Sequence, residues 1–167
     1  MFLWVKKQIK VVFYQKFIII SMFFEFSSIK APRLIPEPSL ELGFSLLSKN
    51  EGLKSLIFFL KYLDSKYSEQ ASLGLALSLI SLKENKKAEV LLIKLTKSTK
   101  INTYAYYYLG KLLLDKKDFS FAINNLEKAS VNKNIRKHSL FMLIEILLIQ
   151  NSLKKSKEKL LQSISEY

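Results

Sequence analysis

Among side chains that could do chemistry, this sequence offers one histidine, His138, and no cysteine. Without cysteine there is no thiol nucleophile, thiolate metal site, disulfide or lipoprotein attachment point, and reducing and oxidising compartments are equally permitted. A single histidine removes the central part of Ser-His-Asp arrangements and of histidine metal clusters. Glu145 follows two helical turns after His138 and could align with it, but a lone histidine at a helix start is far more often a polar surface or groove residue. The four glycines, Gly43, Gly52, Gly74 and Gly110, never form a phosphate-cradling loop. No Asp or Glu sits in a context suggesting burial, so surface charge is the reading for the carboxylates. The expectation is a protein that is not an enzyme and uses no metal or cofactor.

The formal charge of +13 would attract phosphate or anionic lipid. Its make-up weakens that expectation. Arg33 and Arg136 are the only arginines, whereas planar, bidentate recognition of phosphates and guanines favours arginine over lysine. Lys54, Lys61, Lys87, Lys94, Lys128 and Lys155 recur about once per helical turn or repeat, as solvated faces do, instead of clustering into one footprint. Nucleic-acid binding by lysine-rich helices is therefore the least favoured of the functions considered.

The chain divides at its prolines. Pro32, Pro36 and Pro38 are the only three, and each disfavours helix in the residue before it, so Ser27 to Pro38 should be extended. This separates a leader (1–30) and a proline-rich linker (31–38) from the remainder (39–167). The leader opens with Lys6, Lys7 and Lys10 and continues into an apolar run from Val11 to Phe26, broken by Gln15, Lys16 and Glu25. Its uninterrupted part, Phe17 to Phe24, is short for a spanning helix, which needs about twenty apolar residues, but suits the core of an export signal. No A-x-A-like site follows, and Ala31 is a poor cleavage point with Pro32 behind it. Signal peptide or membrane anchor is the first reading, placing the protein in the cell envelope, periplasm or beyond. A helix docked on the following domain, in a cytoplasmic protein, is the alternative.

Beyond Pro38 the pattern is helical. Apolar residues recur at three and four spacing, as in Tyr106, Leu109 and Leu113, then Phe119, Ile123 and Leu126. Polar breaks fall at Lys49 to Gly52, Lys83 to Lys86, Asp115 to Asp118 and Gln150 to Ser152, where Asn, Asp and Ser side chains can cap the following helix. Leu140 to Ile149 is apolar almost all round except Glu145 and reads as a helix held between neighbours.

These breaks are one repeat apart. At spacings of 33, 34 and 34 residues, Leu42, Leu75, Leu109 and Leu143 form one column and Leu46, Leu79, Leu113 and Leu147 another. A small residue follows the first column at Gly43, Ala76 and Gly110, and a second recurs twelve positions later at Ser55, Ala88, Ala122 and Ser156. Where two antiparallel helices come closest there is no room for a long side chain, so both arms need Gly, Ala or Ser there. Phe59, Leu92, Leu126 and Leu160 then fill the flanks.

The unit Thr103 to Arg136 closely resembles the tetratricopeptide repeat: Tyr106, Leu109-Gly110, Leu113, Asp118-Phe119, Ala122, Leu126 and Ala129 fall where that family wants them. The resemblance extends from Pro36 to Tyr167. Ile144, Tyr62 and Leu95 replace small residues of the pattern, and the family's terminal proline is missing from every unit. The resemblance implies an all-α fold, a right-handed α-solenoid of about four antiparallel helix pairs, with atypical end units. It implies a scaffold or adaptor whose first helices line a concave, partner-binding surface. The family's ligand-facing positions here give Leu40, Phe44 and Leu47; Leu73, Leu77 and Ile80; Tyr104, Tyr107, Lys111 and Leu114; and His138, Phe141, Glu145 and Leu148. Family members that grip acidic C-terminal tails use lysine, arginine and asparagine there. Leucine and phenylalanine better suit the apolar face of an amphipathic helix or a hydrophobic peptide, unless the chain itself covers them. The expected role is assembly of an envelope-associated complex; a cytoplasmic adaptor of co-chaperone type is the alternative.

Overall fold

A computed structural model describes residues 38–150. The leader 1–30, nearly all of the linker, Ser156 and the second arm of the fourth unit lie outside the described residues. Within them the fold is all-α, with no strand. A short 3-10 turn, Pro38–Leu40, leads into α1 (Glu41–Ser48), α2 (Gly52–Leu60), α3 (Ser68–Ser81), α4 (Asn85–Leu95), α5 (Asn102–Asp115), α6 (Phe119–Ala129) and α7 (Lys133–Ile149). Pro38 was expected in extended chain but opens that turn. A first helical position suits proline, whose fixed φ is already helical and whose missing N–H would have no partner there. None of the described helices is long and apolar enough to cross a membrane.

The turns inside the helix pairs repeat in atomic detail. α1–α2, α3–α4 and α5–α6 are each joined by three residues, and the middle one is left-handed each time: Asn50 (φ 61°), Lys83 (φ 64°) and Lys117 (φ 61°). Its N–H reaches back to Leu47, Ile80 or Leu114, and the next N–H reaches back to Leu46, Leu79 or Leu113, at 2.8–3.0 Å. This double bond pattern closes a helix C-terminus by satisfying two of its last carbonyls. The spacings of the three turns, 33 and 34 residues, are those of the leucine columns. A lysine in the left-handed region strains its Cβ against its own carbonyl, at a cost of about 1 kcal/mol. Lys83→Gly and Lys117→Gly should therefore each stabilise the fold by roughly 0.5–1 kcal/mol, read as a higher urea midpoint at unchanged slope. A lower midpoint would mean that the turn is not left-handed.

Helix starts are another matter. Glu51, Glu84 and Asp118 occupy the position before α2, α4 and α6, and none accepts a capping bond through its side chain. The capping expected at the polar breaks is thus absent at the three that lie within the described residues. The acids stand at the positive end of the helix dipole instead, and Glu51 and Glu84 pair with Lys54 and Lys87 one turn on. Among the described residues the one side-chain helix cap is Asn132, whose Oδ1 accepts from Asn134 N–H at 2.9 Å to start α7.

Every helix packs against the next along the chain, and α1 also touches α3 as α5 touches α7. Two apolar clusters result. Leu40, Phe59 and Ala71 anchor the first, with Phe44, Leu47 and Leu75 around them. The larger one runs from Leu73 through Leu92, Leu109 and Leu126 to Ile146. The repeat columns explain which side chains enter. Phe59, Leu92 and Leu126 are fully buried, as are Ser55, Ala88 and Ala122. The first leucine column grades from exposed at Leu42 to buried at Leu109 and Leu143, because the first hairpin has no preceding neighbour among the described residues. In α7, Leu140, Leu143, Ile144, Ile146 and Leu147 are buried on nearly all sides, with α5 and α6 against them, as the apolar run requires.

Candidate functional site

The close approach of hairpin arms is met as the small residues require. A Cβ on Gly110 would lie 2.7 Å from Leu126 Cγ and 3.4 Å from the Ala122 carbonyl, so α5 and α6 touch where both small columns fall. In the first hairpin the contact is also polar. Ser55 Oγ lies 3.1 Å from the Gly43 carbonyl and 2.9 Å from Ser78 Oγ, and Ser78 Oγ donates to the Gly74 carbonyl at 2.8 Å. Two hydroxyl protons are shared over three short contacts that tie α1, α2 and α3 together. Ser55 was legible as a small residue; its partnership with Ser78 was not, because Ser78 belongs to neither small column. Ala76 and Ala88 are fully buried in the second hairpin.

The residues expected to line a partner groove divide into two groups. Leu73, Tyr104 and Tyr107 are buried in the larger core, and Leu40 in the smaller one. They support the fold and present no surface to a partner in this structure, which corrects the expectation of an open groove through them. Burial pushes the Tyr107 hydroxyl up to about 12, so it stays protonated throughout the physiological range. Its ring lies edge-on to His138 at 6.3 Å, which makes the histidine a packing partner of an aromatic ring. Phe44, Leu47, Ile80 and Leu114 are half-buried against the cores. Leu77, Phe141, Glu145 and Leu148 are also half-buried, and Lys111 is exposed.

One electrostatic interaction joins equivalent positions of neighbouring units. Glu145 of α7 lies within the electrostatic reach of Lys111 and Asp115 of α5; Lys111 and Glu145 share one repeat position. Burial raises the Glu145 pKa, Asp115 raises it further, and Lys111 partly opposes both. Carboxylate burial was not expected from the sequence. Glu145 lies on an otherwise apolar helix, and only the position of α5 decides that its carboxylate stays partly dry. Glu69 is a second case, with Oε2 buried and no hydrogen-bond partner among the described residues. It lines a cavity of about 300 Å³ at the head of α3 together with Tyr67, Gln70, Lys100 and Ile101.

What remains accessible is a strip along the first helices of the later units, apolar at Leu77, Ile80 and Leu114, with Lys111 and Glu145 supplying one charge of each sign. Such a strip can hold apolar side chains and orient a polar group. It brings no nucleophile to a base. No protein-family model matches the chain, and a search of curated proteins finds no significant match.

Proposed function

We propose that this chain is a non-catalytic interaction scaffold, a right-handed superhelical stack of about four tetratricopeptide-like hairpins. The observation that carries the reading is the recurrence, at 33 and 34 residues, of one left-handed turn with one pair of backbone bonds. Three hairpins closed in the same way, each packed on the next, are what a linear array needs, since one such unit cannot bury its own apolar faces. Arrays of this kind offer an extended surface made of equivalent residues from successive units. Here that surface is the strip holding Leu77, Ile80, Lys111, Leu114 and Glu145, and its occupant is an apolar helix or hydrophobic peptide of a protein partner. The leader 1–30 would deliver or hold the scaffold at the cell envelope, where it supports assembly of a larger complex.

The test places charge in the strip without touching the core. Leu77→Glu, checked for an unchanged helical spectrum, should lose the partners that the natural protein retains in a pull-down from its own cells, whereas Lys128→Glu should keep them. Tyr107→Glu is unsuitable, since it would bury a charge. A folded Leu77→Glu that keeps every partner sinks the strip as the binding surface, and recovery of the natural protein in the soluble cytoplasm with Met1 intact removes the envelope assignment.

A further inference from the structure

The second helices carry a surface that the scaffold reading leaves unused. On α2, Leu53, Ile57 and Leu60 recur at four and three spacing and form one stripe, roughly opposite the buried Ser55 and Phe59. On α4, Val90 and Ile93 occupy the same repeat positions as Ile57 and Leu60, roughly opposite the buried Ala88 and Leu92. All five are exposed, from 48% at Leu60 to 71% at Val90. The two helices turn equivalent faces inward and so turn equivalent faces outward. The head of α2 lies against the end of α3, from which a three-residue turn leads into α4, because a Cβ on Gly52 would meet Ser81 and Leu82.

Lysines follow the same register. Lys54 and Lys61 stand about a quarter-turn from the apolar stripe of α2, and Lys87 and Lys94 repeat that placement on α4, with Lys86 continuing the stripe itself. All five are exposed. Glu51 and Glu84 answer Lys54 and Lys87 at the helix heads, and Glu89 is turned to Lys116. Lys61, Lys86 and Lys94 have no ion pair among the described residues. The pattern stops at the third hairpin, where Asn124 and Glu127 stand in place of Val90 and Ile93.

We propose that the outer face of α2 and α4 docks on an anionic lipid surface, with Ile57, Leu60, Val90 and Ile93 entering the headgroup boundary and Lys61, Lys86 and Lys94 meeting lipid phosphates and carboxylates. The complementarity is one of charge and shape. An apolar row flanked by cations matches acyl chain below and negative headgroup above. The row protrudes, with side chains 48–71% exposed, whereas capture of an amphipathic peptide needs a groove. Both hairpins repeat the row, which suits a planar partner. This contact is independent of the partner strip and of the leader.

The chain has no cysteine, so single reporters can be placed on it directly. Leu60→Cys and Ile93→Cys, each labelled with an environment-sensitive fluorophore in the full chain, should shift to the blue when vesicles of phosphatidylcholine with 30% phosphatidylserine, a fraction of roughly one lipid in three, are added. Asn124→Cys, exposed at the third hairpin's counterpart of Val90, should not, which separates this contact from membrane binding through the leader alone. Adding Lys61→Glu and Lys94→Glu should raise the lipid concentration needed for half the shift by at least about tenfold. Shifts that are absent, or equal at Asn124→Cys, overturn the proposal. So does a shift that needs no lipid and grows with protein concentration, which would assign the face to a second copy of the chain, and so does one unaffected by the two charge reversals.

Discussion

Ala122→Glu should cost the fold about 4 kcal/mol, while Lys128→Glu, six residues later on α6, should cost less than about 1 kcal/mol. Ala122 is fully buried, and its carbonyl lies 3.4 Å from where a Cβ on Gly110 would sit, so two backbones meet there with no space for a longer side chain. Glutamate at this point adds overpacking, worth about 1–3 kcal/mol, to the cost of burying a carboxylate. Against a total stability of about 5–15 kcal/mol, that loss should lower the thermal midpoint by many degrees or unfold the chain outright. Lys128 is exposed, and what it loses is a contact over the Tyr106 ring at 5.3 Å, an interaction worth about 0.5–1 kcal/mol at such a site. The measurement is a pair of urea or thermal midpoints. Equal midpoints would mean that α5 and α6 do not cross at Gly110 and Ala122.

The same two columns show what the sequence could reveal and where it stopped. Small residues at fixed offsets announce a close crossing because steric exclusion is local: it depends on the residue itself and on its partner one hairpin arm away. Ser55, Ala88 and Ala122 were legible for that reason, and so was the burial of Phe59, Leu92 and Leu126. The groove was less legible. Whether Tyr104 and Tyr107 face a partner or the core depends on how far one hairpin is rotated on the next, and no residue type encodes that angle. The left-handed turns were hidden for a different reason. Asparagine at position 50 tolerates that conformation, but lysine at 83 and 117 does not favour it, so packing of the arms imposes the turn against local preference. The outward row on α2 and α4 was visible only as helical periodicity; that it points away from α3 required the structure.

Gly74→Ala should destabilise the fold by about 2 kcal/mol, although alanine is the better helix former by about 1 kcal/mol and Gly74 lies inside α3. An added Cβ would stand 2.3–2.5 Å from three atoms of the Phe59 ring, far inside the 3.5–4.0 Å at which carbon atoms rest. The ring has little room to retreat. It is fully buried, a Cβ on Gly43 would meet it from α1 at 2.6 Å, and Phe44 and Phe58 hold it edge-on with centroids at 4.9 and 5.7 Å. The repeat is consistent with this glycine: Leu92 stands one unit after Phe59 and Tyr108 one unit after Gly74, so the smaller residue of the pair exchanges places between units. Shrinking the ring should therefore relieve the substitution. Phe59→Leu alone should cost about 1–2 kcal/mol, and Gly74→Ala combined with Phe59→Leu should fall short of the sum of the two by at least about 1 kcal/mol. Additive losses, or a Gly74→Ala protein more stable than the natural one, would show that α3 does not close on Phe59, and with that contact the joint between the first and second hairpins would be lost.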